Sequence, residues 1–324
     1  MDAGTVQAKA MIRMLARWIG AVLALAGVAF IGWRFAQAGV WQQVMGSTYA
    51  GRLLGLCLIA MCVYLVGLGA MGIAWWRVQS AYMQQRPPLR PFFAVYATTQ
   101  FAKYLPGNVG HFVGRHVLLR RYGVEHAALV MGTLTEAGFL VLAALVWAAS
   151  DLRVLLPRIA IGITPLEVLA IEVVALFVVI FVLQACRKRN ARLAALVPLH
   201  APTRLFAVLP LHLFLFATMA ATLMLPAQAF PISADALWML PAAAATSWIA
   251  GFLVIGAPAG IGVREAVFVA VLQGHLPESD ILLLAAAFRI ATFGGDVLFL
   301  LVGLLLGGRR YDNEAQPAAL NESG

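Results

Sequence analysis

The sequence predicts an all-α, polytopic integral membrane protein with about seven to eight transmembrane helices and two broken, partly re-entrant segments. Three observations predict this class. Of the 324 residues, 62% are hydrophobic and only 11% are charged, whereas about 25% of the residues of a soluble protein are charged. The mean hydropathy is +0.88. Apolar runs long enough to cross ~30 Å of hydrocarbon recur along the whole chain.

Uninterrupted apolar runs account for most of the predicted helices. They cover residues 18–38, 53–76, 126–149, 165–185, 205–228, 237–256 and 280–307. The first run follows Lys9, Arg13 and Arg17. It is too long for the apolar core of a signal peptide and lacks a clean small-residue cleavage site, so we interpret it as a retained first span.

Two further apolar segments, 91–122 and 257–277, are broken by glycine, proline and charge. The first contains PGNVGHFVGR (106–115) and the second contains PAGIGVRE (258–265). Each is followed, some two dozen residues later, by a charge inside a span: Glu136 in one case and Arg289 in the other. Paired interrupted segments in two halves of a membrane protein indicate a transporter's binding site and a possible inverted repeat.

The basic residues predict the orientation of the chain. They cluster at 9–17, 77–90, 103–121, 187–204 and 309–310. Because Lys and Arg stay on the cytoplasmic side, segment 91–122 must enter and leave on one side, and segment 257–277 must cross. This gives about eight crossings of a bacterial inner membrane with both termini inside, although Arg153 and Arg158 would then lie outside. Residues 1–14 form the cytoplasmic N-terminus, 15–308 the membrane domain and 309–324 a disordered cytoplasmic tail.

The sequence lacks the motifs that would indicate other functional classes. A net charge of +9 would suggest a nucleic-acid partner in a soluble protein, but here the basic residues flank spans, so none is expected. Cys57, Cys62 and Cys186 have neither disulfide nor metal-ligand spacing. There is no phosphate-binding loop of the ATPase type and no nucleophile motif. We therefore expect no cofactor, no metal and no enzymatic activity, and a structural role for His212.

The first broken segment has the composition of an anion site. Residues 103–121 read KYLPGNVGHFVGRHVLLRR. Gly107 and Gly110 would let several backbone N–H groups point in one direction. Asn108 is a candidate N-cap of the helix that follows, and helix N-termini attract anions.

Basic side chains surround this turn. His111 and Arg115 are four residues apart and share a helix face, and Lys103 approaches from the preceding side. Together with the glycines, these donors suit a phosphate. The alternative is a simple turn whose basic residues, Arg120 and Arg121 above all, only mark the cytoplasmic side.

The second broken segment places Gly260 and Gly262 before Arg264 and Glu265. Unwound backbone at membrane depth is tolerated only when it is buried in protein or faces a watery cavity. Arg264 is therefore a candidate binding residue. The alternative is a structural kink in which Arg264 pairs with Glu265 or reaches the membrane surface.

Three charges are predicted near the middle of the membrane. Arg289 lies eight residues beyond Ile281, about 12 Å along a helix. Asp296 follows seven residues later on the same face, and Glu136 is about as deep in its own span. Each such charge costs at least ~2.5–3.5 kcal/mol. We therefore expect Arg289, Asp296 and Glu136 to share a polar cavity; the alternative is a purely structural ion pair.

These motifs resemble a known family. KYLPGNVGHFVGR, the span with Glu136, PAGIGVREAVF and AAAFRIATF with Gly294-Gly295-Asp296 are similar to the membrane region of lysylphosphatidylglycerol synthases and to stand-alone, flippase-like relatives. The resemblance covers about residues 15–307 and implies movement of a lipid from the inner to the outer leaflet. Bifunctional members add a soluble aminoacyl transferase domain; with none before Gly324, the resemblance implies transport and not lipid aminoacylation.

The expected function is translocation of a phosphate-bearing membrane lipid, either a polyprenyl-phosphate-linked sugar or an anionic glycerophospholipid. The residues expected to neutralise phosphate are Lys103, Arg115, Arg264 and Arg289, with Glu136 and Asp296 as counter-charges. One alternative is a non-transporting partner that presents lipid to a glycosyltransferase or lipid-modifying enzyme, or scaffolds one. The other is a small-solute transporter.

Overall fold

The computed structural model describes residues 42, 45–46, 48–83, 86–104, 109–120, 124–151, 207–254, 260 and 262–307. Eight α-helices lie in these ranges: α1 (Ala50–Tyr82), α2 (Leu89–Gln100), α3 (Gly110–Arg120), α4 (His126–Ala148), α5 (Leu209–Ala227), α6 (Ala234–Leu253), α7 (Val263–Leu272) and α8 (Glu278–Gly307). A 3-10 turn, Phe101–Tyr104, follows α2. The predicted spans 18–38 and 165–185, both termini (1–14 and 309–324), Arg121, Arg153, Arg158 and Cys186 lie outside the described residues.

Five of these helices are long and apolar enough to cross a membrane: α1, α4, α5, α6 and α8. They coincide with five of the seven predicted apolar runs, and the described part of the chain contains no β-strand. The predicted all-α, polytopic membrane fold is confirmed. The predicted number of crossings stays a prediction.

Helices α1 and α8 run in the same direction. The Cys57 Sγ lies 3.7 Å from the Ala287 carbonyl oxygen. About two turns further along both helices, Tyr64 packs on Gly295. A Cβ atom on Gly295 would come within 2.7 Å of the Tyr64 ring. The glycine therefore lets the two helices approach at the level of Tyr64.

Helices α5 and α6 form an antiparallel pair. Thr222 donates a hydrogen bond of 3.3 Å to the Ala60 carbonyl, and earlier along α5 Thr218 packs on Gly67 of α1, so α5 runs opposite to α1. The chain reverses again in the short connection 228–233, and Phe216 packs edge-on against Trp248. Helix α6 therefore runs in the same direction as α1 and α8, and residues 254–277 must return between them.

The first broken segment enters the bundle along α8 and turns back. Arg90 at the start of α2 donates to the Leu306 carbonyl (3.2 Å), whereas Tyr104 at the end of the 3-10 turn packs on Phe293, near the middle of α8 (5.4 Å between ring centroids). Helix α3 then runs back along α2, with Gly114 against Thr99. The segment therefore approaches the middle of α8 from its Leu306 end, and its predicted exit on the same side stays a prediction.

The second broken segment reaches the middle of α8 from the opposite end. Helix α7 returns along α6, because Arg264 packs on Gly251 while Val271 packs on Met239 and Ala242. Only residues 273–277 separate α7 from the start of α8. The two broken segments therefore reach the middle of α8 from its opposite ends. The possible inverted repeat stays a prediction.

Candidate functional site between the two broken segments

The first ion pair joins the 3-10 turn to α8. The Lys103 Nζ lies 2.8 Å from Asp296 Oδ1 and 2.7 Å from Oδ2. The Tyr104 hydroxyl donates to Oδ2 at 2.6 Å, and the Tyr64 hydroxyl accepts from Lys103 at 3.4 Å. The Asp296 side chain is 1% exposed and that of Lys103 17%. A buried carboxylate thus has one ammonium and one hydroxyl as donors.

Two groups of the first broken segment lie outside the five candidate spans and are strongly affected by burial. Burial lowers the pKa of the Lys103 ammonium, against the opposing effect of Asp296. Burial lowers the pKa of His111 well below its usual value, and the charges of Arg115 and Lys103 lower it further. His111 is therefore neutral at pH 7, and the charges of both Arg115 and Lys103 act on its ring.

The second ion pair joins α3 to α4. The Arg115 Nη1 donates to both carboxylate oxygens of Glu136, at 3.0 and 2.8 Å, and Nη2 donates to Gln100 Oε1 at 2.6 Å. The guanidinium also lies 3.8 Å from the centroid of the Tyr96 ring. The side chains of Arg115 and Glu136 are 3% and 1% exposed. Glu136 and Gln100 thus meet both terminal nitrogens of Arg115, whereas its buried Nε has no hydrogen-bond partner.

The third ion pair joins α7 to α8. The Arg289 Nε donates to Glu265 Oε1, and Nη2 donates to the Gly260 carbonyl at 2.8 Å. Glu265 Oε2 in turn accepts from the Gly262 backbone N–H at 2.7 Å. Gly262 has φ +87° and precedes the first residue of α7. The carboxylate therefore fixes the start of α7 and the position of Arg289 together.

The mid-membrane charges pair with residues of other elements. Arg289 pairs with Glu265 of α7 and Glu136 pairs with Arg115 of α3, so neither pairs directly with another of the three charges expected to share a cavity. The shared cavity of Arg289, Asp296 and Glu136 stays a prediction. Arg264 forms no ion pair with its neighbour Glu265 in the described residues, although the charge of Glu265 acts on it.

Arg264 has no ion-pair partner among the described residues, although the charge of Glu265 acts on it electrostatically. Its Nε is buried and has no hydrogen-bond partner. It packs between two glycines: a Cβ on Gly251 would lie 2.8 Å from this Nε, and Gly260 has φ +69°, with the Gly251 Cα 2.8 Å from the Cβ position. Arg289 opposes its charge electrostatically. An arginine held against a second arginine, with a free donor, is an arrangement that an anion would stabilise.

Most of the predicted site residues thus meet around the middle of α8. Those in contact or in electrostatic range of one another are Lys103, Asp296, Arg264, Glu265, Arg289, Gly260 and Gly262. His111 connects this group to Arg115 and Glu136. Gly110 begins α3. Gly107 and Asn108, the predicted N-cap, lie outside the described residues.

Sequence reasoning missed three polar partners, namely Tyr64, Gln100 and Tyr104. Each lies in an apolar helix or directly beside a predicted site residue. A single hydroxyl or amide among apolar residues could have indicated these partners. The predicted structural role of His212 is confirmed: its Nδ1 lies 3.0 Å from the Val208 carbonyl oxygen. Cys57 and Cys62 are free thiols.

Comparison with known proteins identifies the family. No curated protein matches the chain. The family model of the lysylphosphatidylglycerol synthase TM region matches residues 17–303, which includes both broken segments and all three ion pairs. The chain therefore belongs to that family, and it is a multi-pass membrane protein related to lipid metabolism.

Proposed function

We propose that the protein binds the phosphate of an anionic or polyprenyl-phosphate-linked lipid between its two broken segments and moves that lipid between the leaflets of the bacterial inner membrane. Both termini are cytoplasmic in this proposal. The phosphate occupies the space beside Arg264, with Lys103 and Arg289 close by.

The observation that carries the proposal is the buried Arg264 Nε, which has no hydrogen-bond partner among the described residues. Around the middle of α8 the described residues place three cations, Lys103, Arg264 and Arg289, near the carboxylates of Asp296 and Glu265. Lys103 and Arg289 pair with those two carboxylates, so Arg264 is left without an ion-pair partner among the described residues. A buried cation without an ion-pair partner is costly in a low-dielectric environment. A lipid phosphodiester carries one negative charge and several acceptor oxygens, so it would pair with Arg264 and accept a hydrogen bond from its free Nε.

The arrangement of the helices supports movement as well as binding. Broken segments that meet at mid-membrane from opposite ends are typical of alternating access, in which one side of the site opens while the other stays closed. Arg90 of α2 contacts the Leu306 end of α8, and Glu265 of α7 pairs with Arg289, which lies nearer the Glu278 end than Asp296 does. A lipid headgroup held between the tips would reach either side through the segment that opens.

Reconstitution tests the proposal. The purified protein, in vesicles with a fluorescent phosphatidylglycerol, should exchange this lipid between leaflets when no other protein is present. Arg264→Gln should slow the exchange at least tenfold. The matched control Arg77→Gln removes an exposed arginine of α1 and should leave the rate unchanged.

Three outcomes would argue against the proposal. Binding of phosphatidylglycerol without any exchange would favour a partner that presents lipid to another enzyme. Inhibition by free inorganic phosphate at low millimolar concentration, together with phosphate uptake, would favour a small-solute transporter. Equal exchange by the Arg264→Gln and Arg77→Gln proteins would remove Arg264 from the site.

A further inference from the structure

The ion pair between Lys103 and Asp296 differs from the other two in how easily it can separate. Arg115 and Arg289 each hold their partners through two or more donors of a planar guanidinium. Lys103 is a point charge on a flexible stem, and its side chain is 17% exposed, compared with 3% for Arg115 and 9% for Arg289. Lys103 is therefore the paired cation that can most readily turn to a second anion.

Charged and titratable groups from several of the described elements face this pair. Tyr64 comes from α1 and Tyr104 from the 3-10 turn. His111 comes from α3, Arg264 from α7 and Arg289 from α8. The arginines cannot lose a proton, and neutral His111 supplies no charge. Asp296 therefore depends on Lys103 for its directly bonded counter-charge.

We propose that the protein carries one proton with each lipid anion, and that Asp296 is the proton carrier. This inference rests on the proposed lipid transfer. Lipid transfer is coupled to the proton gradient because the lipid phosphate separates Lys103 from Asp296.

The proton balance follows from the contacts. When a phosphate arrives beside Arg264 it also attracts Lys103, and Asp296 keeps only the Tyr104 hydroxyl as a donor. A carboxylate left 1% exposed without a counter-charge is strongly destabilised. It takes a proton from water on the open side, and an O–H bond forms on Asp296. When the lipid leaves on the other side, Asp296 returns the proton to water there and pairs with Lys103 again. Lys103 stays an ammonium throughout.

This stoichiometry makes a sharp quantitative prediction. A lipid with one negative charge that moves with one proton carries no net charge. A difference of one pH unit then supports up to a tenfold leaflet ratio, with the lipid enriched on the alkaline side, and a membrane potential has no effect. An anion that moves without a proton gives the opposite pattern, because ~100 mV acts on each uncompensated charge that crosses the membrane while the pH difference does not.

The experiment uses the full-length protein in vesicles with fluorescent phosphatidylglycerol, whose charge does not change between pH 6.5 and 7.5. The two conditions are a one-unit pH difference at zero potential and a potassium–valinomycin potential at equal pH. The wild-type protein should enrich the lipid several-fold in the alkaline leaflet in the first condition and leave it evenly distributed in the second. A pH-sensitive dye in the lumen should record about one proton for each lipid that enters.

Variants locate the proton carrier. Whatever exchange Asp296→Asn retains should no longer respond to the pH difference. Asp280→Asn, the same substitution in the first turn of α8, should respond as the wild type does. A wild-type protein that exchanges lipid evenly under a pH difference, without proton entry, would overturn the coupling and leave the proposed function standing. A wild-type protein that exchanges no lipid would overturn both. A normal pH response from Asp296→Asn would exclude Asp296 as the carrier.

Discussion

The buried pair of Arg115 and Glu136 gives the most direct test of the energetics of the site. Glu136→Gln keeps the shape of the side chain but removes the charge that meets Arg115 Nη1 at 2.8 and 3.0 Å. The guanidinium then keeps neutral partners, namely Gln100 and the neighbouring aromatic rings, of which Tyr96 is the nearest, but no counter-charge. With both side chains almost fully buried, loss of one partner should lower the free energy of unfolding by about 3–5 kcal/mol.

The same reasoning predicts that removing both charges is much less harmful than removing one. Replacement of a buried ion pair by apolar residues of similar volume is often neutral, so the double variant Arg115→Met/Glu136→Leu should recover most of the loss. Unfolding of the purified protein in lipid nanodiscs, followed by tryptophan fluorescence against denaturant, measures the effect as a double-mutant cycle.

Glu125→Gln is the control for this measurement. Glu125 is an exposed acidic residue directly before α4, so its replacement should change stability by no more than ~0.5 kcal/mol. Losses from the two single substitutions that simply add in the double variant would show that the charges do not compensate one another, and would refute the reasoning.

Three further predictions concern topology and the site. Reporter fusions at the two termini should both report the cytoplasm, because the basic residues flank spans on that side; an external C-terminus would mean that segment 257–277 does not cross back. Arg264→Ala should weaken binding of anionic lipid vesicles at least fivefold per folded molecule, because its buried Nε has no hydrogen-bond partner in the protein. Exposed Arg120, whose Nη1 bonds a backbone carbonyl, should tolerate alanine, and equal losses would remove Arg264 from the lipid site. Arg289→Lys should insert and fold but exchange lipid at least tenfold more slowly, because lysine cannot hold Glu265 and the Gly260 carbonyl together as the guanidinium does; unimpaired exchange would remove Arg289 from the site.

The fold could be predicted to the extent that it depends on the membrane. Hydrocarbon thickness sets the length of an apolar run, so the spans that became α1, α4, α5, α6 and α8 were visible in the sequence. The broken segments were visible because glycine, proline and charge interrupt such runs. The opposite entry of the two segments along α8 was not visible, since it depends on packing between helices far apart in the chain.

The partners of the charged residues were harder to predict than their depth. Insertion cost identified Arg289, Asp296 and Glu136 as residues that need partners, but not which partners they take. The spacing of Arg289 and Asp296 correctly indicates one face of α8, yet α7 places Glu265 against Arg289 and the 3-10 turn places Lys103 against Asp296. These choices depend on which helix packs against each turn of α8, and no local pattern contains that information.

Both broken segments are fastened to the same helix, at positions seven residues apart, or about 10 Å along its axis. Asp296 holds the first segment and Arg289 the second. Two separate ion pairs therefore hold the broken segments to α8, and one pair can separate while the other stays intact. In the proposed lipid transfer, this arrangement would separate transport from leakage. A headgroup that released the contact on its own side would still face the second contact, so the two sides of the membrane would not be open to each other at the same time.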